Sequence, residues 1–133
     1  MIVADVNLIA YLLIPGGRTA QAEAIFDRDP DWAVPPLWRA EFRNVLTVSG
    51  RSGLLSERTA LDVMARAETL LRGQEVFVRS ADVLALAFRS RCSAYDCEYI
   101  AAAQALGAPL VTADRKIVAE FPATAVSFEA FLA

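Results

Sequence analysis

The chain has 133 residues, 56% of them hydrophobic, with a net charge of −3 and no histidine. That length predicts a single domain over residues 1–133 with a well-filled core, and the composition excludes disorder. Without imidazole, Ser-His-Asp and Cys-His triads and histidine-ligated zinc are excluded, which leaves carboxylates, hydroxyls, arginine, one lysine or a hard metal for any catalysis.

Ile2-Val3-Ala4 is a short, β-branched apolar run and predicts a buried strand ending on Asp5. Leu8 to Ile14 then reads as a short helix closed by Pro15-Gly16-Gly17, and Thr19 to Asp27 as a second. Trp32-Ala33-Val34 is a second strand stopped by Pro35-Pro36. Pro36 suits the first turn of the next helix, whose apolar positions are Leu37, Ala40, Val45 and Val48, widened by Phe42 and Leu46 and broken at Gly50 and Gly53. Ser56 opens a helix to Arg72 with Leu61, Met64, Ala65, Ala67 and Leu71 expected inside.

Val76-Phe77-Val78 reads as a third strand, and Ser80 as the cap of a helix through about Arg91 carrying Leu84, Ala85, Leu86 and Phe88. Ser93 opens a helix that Gly107 ends, Leu110-Val111-Thr112 is a fourth strand, and Asp114 caps a short helix to about Phe121. Ala125 to Phe128 makes a fifth strand before a final turn from Glu129. Strands alternating with helices predict a three-layer α/β/α sandwich with a mostly parallel five-stranded sheet.

Cys92 and Cys97 make neither a disulfide framework nor a zinc site and read as free thiols of a reducing cytoplasm. No apolar run of about 18 residues is present, so no membrane span is expected. Asp5 interrupts an N-terminal stretch without a basic region, unlike a signal peptide. The negative balance speaks against a general nucleic-acid binder, but it leaves room for an acidic pocket flanked by local arginines.

Four acids stand out, each with a plainer alternative. Asp5 reads as a helix N-cap or as a ligand at a strand's carboxyl end, the edge where open α/β sheets collect ligands. Glu41 lies on or beside the apolar face of its helix, where an ionised carboxylate needs a partner such as Arg39 or Arg43. Asp96 closes Ser93-x-x-Asp96, a capping-box arrangement, and Asp114 is again either a cap or a site residue. Glu98, two places beyond Asp96, reads as solvated. Asp5, Asp96 and Asp114 can converge on one sheet edge. Carboxylates so packed repel one another until a proton or a cation intervenes, and Mg²⁺ or Mn²⁺ with oxygen ligands answers that repulsion.

These stretches resemble the PIN-domain nucleases: the strand ending Asp5-Val6-Asn7, the helix carrying Arg39-Ala40-Glu41, Ser93-Ala94-Tyr95-Asp96, and Val111 to Val118. They are most similar to the short VapC-type toxins of toxin–antitoxin pairs. The resemblance spans essentially the whole chain and implies an Mg²⁺- or Mn²⁺-dependent endoribonuclease. Its acidic quartet falls on Asp5, Glu41, Asp96 and Asp114, with Asp5, Asp96 and Asp114 as metal ligands and Asn7 and Thr112 in support. It also implies an RNA substrate, a cognate antitoxin and a homodimer. Arg39, Arg43, Arg115 and Lys116 are the candidates for RNA phosphate contact, with Arg18 a weaker one.

Three other classes compete with this one. A hydrolase using a paired Asp-x-Asp nucleophile and acid fails because Asn7 cannot serve as the acid and the chain is short for that class. A receiver-type phosphoacceptor domain needs an aspartate after its third strand, and here Val76-Phe77-Val78 leads to Arg79-Ser80. A non-catalytic binding module on the same fold is compatible with every residue named above.

Overall fold

The structure, a computed structural model, describes residues 1–133. In chain order its elements are β1 (Ile2–Ala4), α1 (Val6–Leu13), α2 (Thr19–Arg28), β2 (Trp32–Ala33), α3 (Trp38–Arg51) and α4 (Glu57–Leu70). There follow α5 (Ser80–Phe88), α6 (Ala94–Leu106), β3 (Leu110–Val111), α7 (Arg115–Glu120), β4 (Ala125–Val126) and α8 (Phe128–Leu132).

All strand pairs are parallel, in the order β2-β1-β3-β4. Side chains alternate across a strand, and that alternation divides the interior in two. Ile2 and Ala4 join Leu8, Ile25, Trp38, Phe42 and Phe128 on one face, while Val3, Leu110 and Ala125 join Tyr99, Ile100 and Ile117 on the other. Helices thus cover both faces, as the α/β/α reading expects.

The sheet has four strands rather than five. Val76-Phe77-Val78 forms no strand; its neighbour Glu75 makes one isolated parallel bridge to Val34. Val34 N–H donates to Gln74 O at 3.1 Å and Val76 N–H to Val34 O at 2.8 Å, and the ladder stops there. The residues that would continue it, Pro35 and Pro36, have no N–H to give. Phe77 is left in solvent, 82% exposed.

The last predicted strand is also shortened. It ends at Val126, and Ser127 caps α8, its hydroxyl accepting from Ala130 N–H. What was read as a final turn is therefore a short helix. Elsewhere the local signals hold: Ser56 and Ser93 cap α4 and α6, and Gly107 ends α6 in the left-handed conformation at φ 64°. Arg79, not Ser80, is the residue before α5, and α3 runs through Gly50 to Arg51.

Two apolar faces differ from expectation. In α3 the buried stripe is Trp38, Phe42 and Leu46, while Ala40 and Val48 face outward. In α4 it is Val63 and Ala67, continued by Leu71 just past the helix; Leu61 and Ala65 are exposed. Each stripe repeats at i, i+4, i+8, the width a single packed neighbour can cover. Leu84 and Phe88 of α5 are likewise exposed, and Val83 is the residue that α5 buries.

This assignment of the α3 stripe predicts unequal costs of truncation. Phe42→Ala should lose about 3–5 kcal/mol, and Val48→Ala about 0.5 kcal/mol or less, measured by urea unfolding. Equal losses would contradict the stripe.

Candidate active site

The parallel register of the two central strands creates the site. Ala4 pairs with Val111, so the next residues outward, Asp5 and Thr112, leave the sheet side by side. Asp5 N–H is still bonded to Val111 O at 3.2 Å and Thr112 N–H to Val126 O at 3.1 Å. Asp5 is 6% exposed and Thr112 fully buried, and they are the two buried polar residues of the chain. Each satisfies the other: Thr112 Oγ1 donates to Asp5 Oδ2 at 2.5 Å.

Asn7 stitches the pair together. Its Nδ2 donates to Asp5 Oδ2 at 3.1 Å and to Thr112 Oγ1 at 3.3 Å, and its Oδ1 accepts from Ala113 N–H at 3.2 Å. Asp5 Oδ1 accepts from Val6 N–H at 2.8 Å, which is the N-cap bond of α1. The cap and site readings of Asp5 are therefore compatible, one oxygen serving the helix and the other the network.

Burial pushes the Asp5 carboxyl up to about 6, opposed by the Thr112 and Val6 hydrogen bonds and reinforced by the charges of Glu41 and Asp96. Glu41, in the first turn of α3, is also raised, first by its own burial and then by Asp96 and Glu98. Tyr99 works against that shift, donating its hydroxyl to Glu41 Oε1 at 2.7 Å. Tyr99 is itself 1% exposed, and burial with the neighbouring Glu41 charge keeps its phenol protonated far above the usual range. Asp96 sits half-exposed in the first turn of α6, its backbone N–H given to the Ser93 cap.

Asp5, Glu41 and Asp96 thus act on one another electrostatically. Asp114 stands differently. Its backbone N–H donates to Thr112 Oγ1 at 3.0 Å, but its Oδ1 caps α7 by accepting from Lys116 and Ile117 N–H. No three of the acids and cysteines come close enough to cage a metal alone. The donor set still fits a hard ion of the Mg²⁺ kind, which takes one or two carboxylates and fills its remaining positions with water.

Tyr99 and Glu98 are the site residues that reading the sequence missed. Tyr99 lies three residues beyond Asp96, hence on the same face of α6, and that spacing was the available signal. Glu98 is half-buried rather than solvated, and its carboxyl is raised by that burial.

Of the candidate phosphate contacts, Arg39 is already engaged. It bridges Glu68 at 2.6 Å and Glu75 at 2.7 Å and lies over the Trp38 ring. Arg43, Arg115 and Lys116 are exposed. Arg18 packs over the rings of Tyr11 and Phe128 and pairs with Glu129 at 3.1 Å. With Arg115 and Thr112 it lines a pocket of about 380 Å³ next to the acidic edge. Cys92 and Cys97 are free and buried, and no helix is long and apolar enough to cross a membrane.

The family model described as "PIN domain" matches residues 2–122. Ribonuclease VapC3 of Pyrobaculum aerophilum is 30% identical over 125 residues, which cover 92% of this chain and 95% of that protein. Among solved structures, the crystal structure of FitAcB from Neisseria gonorrhoeae superposes with a TM-score of 0.73 at 20% identity, covering 96% of each chain, a likeness of fold.

The raised Asp5 pKa has a definite consequence for stability. Below the unfolded value of 3.8 both states hold the proton; between there and about 6 the folded state holds it more tightly, so its advantage shrinks as pH rises. In EDTA, the wild type should lose on the order of 3 kcal/mol relative to Asp5→Asn between roughly pH 4 and pH 6.5. Parallel urea-midpoint profiles for the two proteins would rule this out.

Proposed function

Because the chain belongs to the PIN-domain family, we propose that it is a metal-dependent endoribonuclease, acting as the toxin of a toxin–antitoxin pair. The observation that carries the reading is the buried Asp5, wired to Thr112 and Asn7 and under the charges of Glu41 and Asp96. A protein that needed Asp5 only as a helix cap would have no reason to desolvate it and crowd it with two further acids. The 30% identity to a protein named as a ribonuclease supports the same reaction class.

Mg²⁺ or Mn²⁺, once bound, supplies a water of lowered pKa and offsets charge on the phosphodiester. Asp5 and Asp96 would hold the ion, and Asp114 would reach it through a water from the oxygen that does not cap α7. Thr112 and Asn7 fix the Asp5 carboxylate so that it cannot rotate away. Glu41, steadied by the Tyr99 hydroxyl, orients the attacking water and takes up its proton. In this reading the nucleophile is that water, so no histidine is required.

Arg115 and Lys116 follow Asp114 directly and offset the phosphate charge of the RNA; Arg43 serves farther out, and Arg39 stays with Glu68 and Glu75. The antitoxin's C-terminal tail enters the acidic groove, as the resemblance implies; a separate apolar groove of about 500 Å³ lies between α3 and α4, lined by Leu46, Leu55, Leu61 and Met64. The homodimer follows from the resemblance, and the cytoplasmic location from the free thiols of Cys92 and Cys97.

Purified protein should cleave single-stranded RNA with Mg²⁺ and stop when EDTA is added. Asp96→Asn should lower the rate by about 10²-fold or more, the scale of removing one transition-state charge contact. Cleavage that survives both treatments would sink the metal mechanism, and absence of cleavage across a randomised RNA pool would favour a non-catalytic binding module.

A further inference from the structure

Resting on the ribonuclease reading, we infer that the open pocket between α3 and the start of α6 receives one unpaired nucleobase of the RNA beside the scissile phosphate. The pocket measures about 360 Å³, near the lower end of the roughly 300–1,000 Å³ of small-ligand sites. That is room for one planar ring. Val6, Leu37 and Val45 line it with apolar surface, Glu41 and Asn44 supply polar edges, and Tyr95 completes it.

Tyr95 precedes Asp96 in the first turn of α6 and is 62% exposed. An exposed aromatic by itself means little. Here the ring borders a cavity that also contains Glu41, one of the proposed catalytic acids, so the pocket is continuous with the candidate site. Bases splayed out of single-stranded RNA are held by stacking on aromatic side chains and by hydrogen bonds to their edges. Tyr95 offers the stacking face, and the Asn44 amide offers one acceptor and two donors.

Charge selects the base over the backbone. The Glu41 carboxylate in the wall repels phosphate but not a neutral heterocycle, and base N–H groups can donate to it. The apolar walls suit a flat ring better than the hydrated head of a basic protein side chain.

The test uses the full chain and its Tyr95→Ala, Tyr95→Phe and Asn44→Ala variants. Cleavage of randomised single-stranded RNA gives KM, kcat and base preference at each position. Fluorescence quenching of a single-stranded 2-aminopurine oligoribonucleotide reads binding whether or not cleavage occurs. Tyr95→Ala should weaken binding and raise KM roughly 5- to 100-fold, the scale of one stacked base, with kcat at saturating RNA little changed. Tyr95→Phe, which keeps the ring, should restore both, and Asn44→Ala should flatten the preference at a single position next to the cut. If the wild type cleaves RNA while Tyr95→Ala and Asn44→Ala keep its KM and base preference, the pocket proposal is overturned and the nuclease reading stands. If the wild type binds and quenches the probe in a Tyr95-dependent way yet cleaves nothing, the pocket stands and the nuclease reading falls. Loss of binding to an antitoxin peptide with RNA handling unchanged would make this a protein-docking site and overturn the proposal.

Discussion

The hydrogen bond from Thr112 to Asp5 is the interaction on which the acidic edge depends. A carboxylate removed from water loses several kcal/mol of hydration unless donors replace it. Asp5 recovers part of that from Thr112, Asn7 and the first N–H of α1. Val6 and Asn7 are neighbours of Asp5 in the chain, and the parallel pairing of β1 with β3 brings Thr112 to them. The register of two very short strands therefore decides whether Asp5 is a tolerable buried acid or a destabilising one. Even so the recovery is incomplete, since the carboxyl remains raised to about 6. A proton, or the cation of the proposed mechanism, would complete it.

Helix α3 shows how one element can serve the core and the site without conflict. Trp38, Phe42 and Leu46 fill the interior, and Glu41, adjacent to Phe42, turns about 100° away to the acidic edge. Asn44 lies one turn farther along the same side. Placing Glu41 in the first turn also puts its charge near the positive end of the helix dipole, which eases its approach to Asp5 and Asp96. Tyr99 then holds the carboxylate from across the site. The packing that anchors Phe42 thus sets the position of Glu41.

What was legible in the sequence was local. Ser56, Ser93, Asp5 and Asp114 cap helices through bonds to N–H groups within three residues, so their signatures are complete in the sequence itself. The alternation of short apolar runs with helices was enough for the layer architecture. Apart from the final helix, whose Ser127 cap is itself local, the larger misreadings turned on partners distant in the chain. Val76-Phe77-Val78 has the composition of a strand, but its neighbour is Pro35-Pro36, which cannot continue the ladder. Leu61 fits the apolar period of α4, yet the period does not say how wide a face the next helix covers, and Leu61 borders the groove instead. Arg39 was read as a partner of Glu41 or a phosphate contact because Glu68 and Glu75, its actual partners, come from later segments. Tyr99 was hidden among the apolar residues of α6, since burial of its ring and the hydrogen bond of its hydroxyl are separate facts.

For an acidic chain the proposed RNA substrate raises a problem of approach, and the distribution of its cations bears on how it would be solved. Net charge acts over the whole surface, but at physiological salt its reach is only about 8 Å. Local composition near the site therefore outweighs the total of −3. Arg115 and Lys116 extend from the start of α7, immediately after an aspartate whose side chain caps that helix. Asp114 thereby fixes where the two cations begin, while Arg18 with its aromatic and Glu129 partners forms a steadier wall nearby. On the opposite side, around Glu41, Asn44 and Tyr95, the lining holds an acid and no cation. A nucleic-acid strand crossing the edge would meet cations on the α7 side and a neutral-to-acidic slot on the α3 side. That asymmetry suits a ligand with one charged and one uncharged part.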